Sequence, residues 1–213
     1  MSKEKLLFGL IALALFVTLI SSCKKDDNPV GANPPIGDSY IWPLKLGNVW
    51  IYKITEYDTA GIIIQARFDT TKILRDTTIS NEKWYQLSES RYFLTNRTNG
   101  LWALDLSLPS PSPELLLKYP GLVGDGWNYR VPGGGPDSLR VTIVSTSTPI
   151  TVPAGNYSCY FYRFTEQSLP TRAKSEDYFA PNVGPVLEEY FESTTSGSLY
   201  KKRRLELISY TLL

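Results

Sequence analysis

From residue 38 to residue 213 the sequence predicts an all-β, antiparallel fold, and three observations carry that prediction. Leu139, Arg140, Val141, Thr142 and Ile143 alternate apolar with polar, and Trp50, Tyr52 and Ile54 fall on one side of residues 49–57, the period of two that belongs to a strand. Residues 157–164 hold five aromatic side chains in eight positions, a composition that suits a pleated surface. No stretch of ten or more residues has a helical period. The best helical candidate, residues 114–118, is closed in by Pro111, Pro113 and Pro120.

Composition narrows the function classes before any motif is read. A chain with 42% hydrophobic and 13% aromatic residues can bury a core and is not a disordered polymer. Its 22 Lys+Arg against 21 Asp+Glu leave a net charge of +1, too little to hold a nucleic-acid backbone. There is no His, which removes Ser-His, Cys-His and His-metal chemistry together. Two Cys cannot form a disulfide framework.

Taken in order, the first segment is an address. Lys3 and Lys5 precede an apolar run from Leu6 to Ile20 broken only by Thr18. That run is short of the roughly 20 residues of a bilayer span and fits the core of a secretory signal. It ends Leu19-Ile20-Ser21-Ser22-Cys23, which resembles the lipobox of bacterial lipoproteins. The resemblance implies a signal peptide over 1–22, lipidation of Cys23, and passage through the lipoprotein processing and export machinery. A plain secreted protein or an uncleaved membrane anchor are the other readings. More than one acyl chain gives stable membrane attachment where a single chain is marginal. With Lys3 and Lys5 gone from 22 basic residues and Glu4 from 21 acidic ones, 20 of each remain. Lys24-Lys25-Asp26-Asp27 resembles the surface-export signal of Bacteroidota lipoproteins, and reads equally as a solvated charge cluster. The expected location is the outer membrane, lipid-anchored, on its periplasmic or cell-surface face. Residues 28–37, with three Pro and two Gly, complete a flexible spacer over 23–37.

Residues 38–213 then form one domain by length. Asn99-Gly100 is the strongest hairpin signal, with both residues expected at the centre of the turn because both tolerate positive φ. Residues 58–61, 80–83 and 193–198 are further turns. A short internal echo lies at an offset of 77 residues: Pro43, Gly47, Trp50 and Tyr52 recur as Pro120, Gly124, Trp127 and Tyr129, with Asn48 answered by Asp125. The spacing implies a Gly-Asn or Gly-Asp turn followed by a Trp and a Tyr on one strand face. Trp50 and Trp127 are both expected to be largely buried. The competing reading makes Trp50, Tyr52, Trp127 and Tyr129 the contacts of a paired ligand site.

Tyr40-Ile41-Trp42-Pro43-Leu44 with Gly47 and Trp50-Ile51-Tyr52, then residues 151–159 and 178–186, resemble in order the motifs of a family of uncharacterised Bacteroidota-type envelope lipoproteins. The resemblance implies a single curved antiparallel sheet, similar to the half-barrels of lipoprotein-localisation factors. It brings no catalytic residues. Where the family's late motif has Gly, this chain has Asn182, which also tolerates left-handed backbone.

Chemistry-bearing motifs reduce to structure. Ser80-Asn81-Glu82-Lys83 fits Ser-x-x-Lys but lacks a Lys-Thr-Gly partner and reads as a turn. Gly133-Gly134-Gly135 has no following helix to cradle a phosphate. Lys201-Lys202-Arg203-Arg204 could meet lipid phosphates, but with a turn at 193–198 it falls opposite Glu188 and Glu189 and is expected to pair across strands. Cys159, in an aromatic strand, reads as a buried inert thiol. Asp58-Thr59-Ala60, Asp69-Thr70-Thr71, Asp76-Thr77-Thr78 and Asp137-Ser138-Leu139 match a loose O-glycosylation pattern. No cofactor or metal is implied. The expectation is a non-enzymatic envelope protein in a structural, assembly or apolar-ligand role. Its alternative is a surface glycan-binding module with exposed platforms among Trp42, Trp50, Trp84, Trp102 and Trp127.

Overall fold

The computed structural model describes residues 40–88, 90–130, 138–166 and 169–213, with 169–172 as backbone only. The signal segment, Cys23, the spacer and the Gly133–Gly135 run lie outside the described residues. Twelve strands follow one another: β1 (Val49–Tyr57), β2 (Ile63–Ile79), β3 (Glu82–Leu87), β4 (Tyr92–Arg97), β5 (Gly100–Asp105), β6 (Glu114–Lys118), β7 (Gly126–Arg130), β8 (Ser138–Val152), β9 (Gly155–Glu166), β10 (Leu169–Ala180), β11 (Gly184–Ser193) and β12 (Leu199–Thr211). No helix occurs among the described residues.

All twelve belong to one antiparallel sheet in the order β6-β5-β4-β3-β2-β1-β12-β11-β10-β9-β8-β7. Each half is a six-strand meander, and the β1–β12 ladder joins them, with Trp50 opposite Tyr210 and Ile54 opposite Leu205. The sheet curls until its two edges, β6 and β7, come together. There Trp127 Nε1 donates to Leu115 O at 3.0 Å and Tyr162 Oη donates to Lys118 O at 3.0 Å. The result is a nearly closed, barrel-like domain with its seam between strands adjacent in the chain.

Strand β1 has the predicted bounds, and its face of Trp50, Tyr52 and Ile54 is buried. It feeds a core that also takes Ile73, Leu101, Leu117, Val141, Ile143, Tyr162 and Leu207. A second cluster of Trp84, Phe93 and Leu104 lies apart from it, with the Arg97 guanidinium over the Trp84 ring and the Arg75 guanidinium over Phe93.

The turns correct one expectation and refine another. Arg97 pairs with Gly100, so Thr98 and Asn99, not Asn99 and Gly100, are the central residues of the β4–β5 hairpin. Gly100 is the first residue of β5 with φ of 142°. A Cβ there would stand 2.0 Å from Leu117 O, so this glycine serves the close approach of β6. The β2–β3 turn places Ser80 and Asn81 at φ of 50° and 63°, the two positive values of a type I′ hairpin. Asp58 Oδ1 accepts Ala60 N and Ile62 N, fixing the predicted turn after β1. Asn182 takes φ of 62°, as its left-handed tolerance implied. Residues 114–118, poor helix and unassigned by sequence, are β6.

Candidate functional site

The echoed segments fold alike. Gly47 and Gly124 take φ of 89° and 88°. Asn48 N donates to Lys45 O at 3.1 Å, and Asp125 N to Leu122 O at 3.0 Å. The neighbouring strand docks on each turn in the same way: Ile73 N reaches Asn48 O, and Ile143 N reaches Asp125 O. Each copy therefore opens one six-strand half. The side chains diverge. The Asn48 amide donates to Pro43 O and accepts from Leu213 N, tying both ends of the domain together. The Asp125 carboxylate accepts Leu122 N and pairs with Lys118 Nζ at 2.7 Å, and these bonds hold its pKa below the usual carboxylate range.

The four aromatics of the echo are packed. Trp50 is fully buried, its indole donating to Val183 O at 2.7 Å and meeting Trp42 edge-on at 5.6 Å. Tyr52 is buried and donates to Pro185 O at 3.1 Å. Burial, with Glu188 nearby, pushes its hydroxyl well above the ordinary value. Tyr129 is buried, and burial raises its pKa as well. Trp127 is only half-buried, short of the expectation for it, because β7 is an edge strand while β1 lies inside the sheet. The two pairs open opposite halves of the sheet. Of the five Trp, Trp42, Trp50 and Trp84 are buried, Trp102 and Trp127 half-buried, and none is exposed.

Sequence reasoning missed a charged cluster. Asp177 on β10 stands opposite Tyr162 on one side and Glu188 on the other. Arg203 pairs with Glu188 at 2.9 Å and lies over the Tyr190 ring. Asp177 Oδ1 and Arg203 Nε are sealed from solvent without a hydrogen-bond partner, although Asp177 as a whole keeps some exposure. Burial first, and Glu188 second, raise the Asp177 pKa well above the carboxylate range. The only available signal was an Asp at an alternating position, which marks solvent as readily as interior. A separate cleft of about 350 Å³ is lined by Glu166, Lys174, Phe191, Glu192 and Leu199 among others.

The basic run is neutralised on the strand beside it. Glu189 lies opposite Arg204 and Tyr190 opposite Arg203. Lys201 and Arg204 both reach Glu189, at 2.5 and 2.8 Å, Arg204 also reaches Glu206, and Lys202 lies 3.9 Å from Glu192. Cys159 is a buried free thiol, its pKa pushed up to about 12 by burial. Among the described residues no group of three or more His, Cys, Asp or Glu is placed to hold a metal ion.

No family model matches the chain, and no curated protein matches it. Two solved structures are similar to it. One is an inferred lipoprotein from Parabacteroides distasonis ATCC 8503, at 13% identity and a TM-score of 0.42 over 81% of this chain and 99% of that one. The other is an inferred exported protein with a YmcC-like fold from Bacteroides fragilis NCTC 9343, at 11% identity and a TM-score of 0.47 over 82% and 100%.

Proposed function

We propose that the chain is a lipid-anchored, non-enzymatic envelope protein, attached to the outer membrane through Cys23, whose domain acts as a structural or assembly scaffold. The observation that carries this reading is the state of the echoed aromatics. The indoles of Trp50 and Trp127 and the hydroxyl of Tyr52 already donate to backbone carbonyls of other segments, Trp50 to the β10–β11 turn and the other two to strands. Aromatic groups so engaged hold strands together, and a ligand would have to break those bonds to use them. A glycan-stacking surface needs exposed indole faces in a row, and the five Trp offer none. The run at 201–204, matched by Glu188, Glu189, Glu192 and Glu206, likewise supports the sheet.

The anchor is tested by growing cells with an alkyne fatty acid and fractionating their membranes. The chain is expected to carry label and to float with outer membranes, and Cys23→Ala to lose the label. Undiminished labelling of Cys23→Ala would overturn the anchor.

A further inference from the structure

The end of the domain where β1 and β7 begin carries exposed apolar side chains on its turns. These two strands lie six places apart in a wholly antiparallel sheet, so they run the same way and their opening turns share one end. In the turn before β7, Leu122 is 74% and Val123 63% exposed. In the turn before β1, Leu46 is exposed, and the chain's last residue is brought to it. Leu213 N donates to Asn48 Oδ1, and the Leu213 side chain lies against Gly47 while staying 67% exposed. Scattered exposed aliphatics are ordinary, but adjacent ones on turns at one end mark a contact surface. The opposite end also has exposed aliphatics, Ile62 and Ile63, so exposure alone does not choose between the ends.

The entry of the chain chooses. Exposed Tyr40 is bonded both ways to the β10–β11 turn, its N–H donating to Asn182 Oδ1 at 3.0 Å and its carbonyl accepting Asn182 N at 2.7 Å. The same turn receives the Trp50 indole at Val183 O, which places Tyr40 at the end where β1 begins. Cys23 lies 17 positions ahead of Tyr40. A random chain of that length spans roughly 20–25 Å, whereas nine-residue β1 alone is about 30 Å long. Presenting the Ile62 end to a bilayer would stretch the connection along the whole domain. Presenting the Tyr40 end would not.

We propose that the Tyr40 end of the domain rests on the lipid surface, with Leu46, Leu122, Val123 and Leu213 entering the boundary between headgroups and acyl chains. The proposal rests on the anchor at Cys23. Tyr40 suits the headgroup level, where an apolar ring with a polar tip is at home. Lys45, exposed beside Leu46, can reach lipid phosphates while its stem lies along the apolar tips. The one carboxylate in the two turns, Asp125, is paired with Lys118 at 2.7 Å and so presents no bare anion to the phosphates. Acyl chains on Cys23 hold the domain near the bilayer, and the apolar turns fix which way up it sits.

The test uses the full chain, extracted from membranes and reconstituted into phosphatidylcholine vesicles, with a polarity-sensitive nitrobenzoxadiazole probe on an introduced thiol. Cys159 is buried, and an acylated Cys23 takes no label. Probes at Leu46→Cys and Leu122→Cys should shift to the blue and be quenched by lipids carrying a nitroxide near the headgroup. A probe at Ile62→Cys should fluoresce as it does in detergent-free buffer. Intact mass and flotation of the same preparations report the anchor separately. A chain that lacks acyl mass and does not float would end the anchor, and this contact with it. A chain that is acylated and floats, with an unshifted probe at Leu46 or Leu122, would keep the anchor and overturn the contact. An equal blue shift at Ile62 would overturn it as well, because the domain would then have no preferred end on the bilayer.

Discussion

Trp50 and Trp127 are equivalent in the sequence and unequal in the fold. Each follows a Gly-Asn or Gly-Asp turn, and each indole caps a carbonyl of another segment. Trp50 sits between β2 and β12 and is wholly enclosed, while Trp127 sits on an edge and bridges the seam. Truncating a fully buried Trp leaves a cavity as well as losing transfer free energy. Trp50→Ala should therefore cost about 3–5 kcal/mol, a large share of the roughly 5–15 kcal/mol that holds a domain folded. Trp127→Ala should cost clearly less, and urea unfolding of the two variants side by side measures the difference. Equal losses would mean that the seam contact matters as much as the interior. Alternation around Trp50 made its burial legible from sequence. The position of Trp127 was not legible, because edge and centre are decided by strand order. Asp177 was hidden for a similar reason: its surroundings come from Tyr162 and Glu188, on strands to either side.

At the scale of elements, the signals that held were local and the one that slipped was long-range. Asp58 makes its turn with its own neighbours, and Ser80 and Asn81 take positive φ within one hairpin. Asn99-Gly100 reads locally as the centre of a turn, yet Gly100 is there for β6, whose Leu117 carbonyl leaves no room for a Cβ. Strand β6 itself escaped detection because five residues between prolines are too few to show a period. Two alanine substitutions separate the roles of glycine. Gly124→Ala meets nothing within 4 Å and bears only the strain of φ at 88°, about 1–2 kcal/mol. Gly100→Ala meets backbone at 2.0 Å and must push β6 away, so it should be the more destabilising of the two in thermal melts. A milder Gly100→Ala would show that β6 can retreat without loss.

The molecule as a whole is two six-strand meanders, each opened by the same turn and aromatic pair, joined along β1 and β12 and folded together at β6 and β7. The all-β class was legible in alternation and in the lack of a helical period. Near-closure was not, since no residue pattern states which strand lies beside which. In such a fold Trp50, Tyr52 and Trp127 tie one segment to another, and in the function proposed above the anchor and the outer surface carry the role. The intact mass of the full chain, extracted from membranes under non-denaturing conditions, tests this most directly. The account predicts a chain that begins at Cys23, carries acyl groups, and brings no stoichiometric lipid or sugar bound to the domain. An unmodified chain that retains residues 1–22, or a bound small molecule at one per domain, would contradict it.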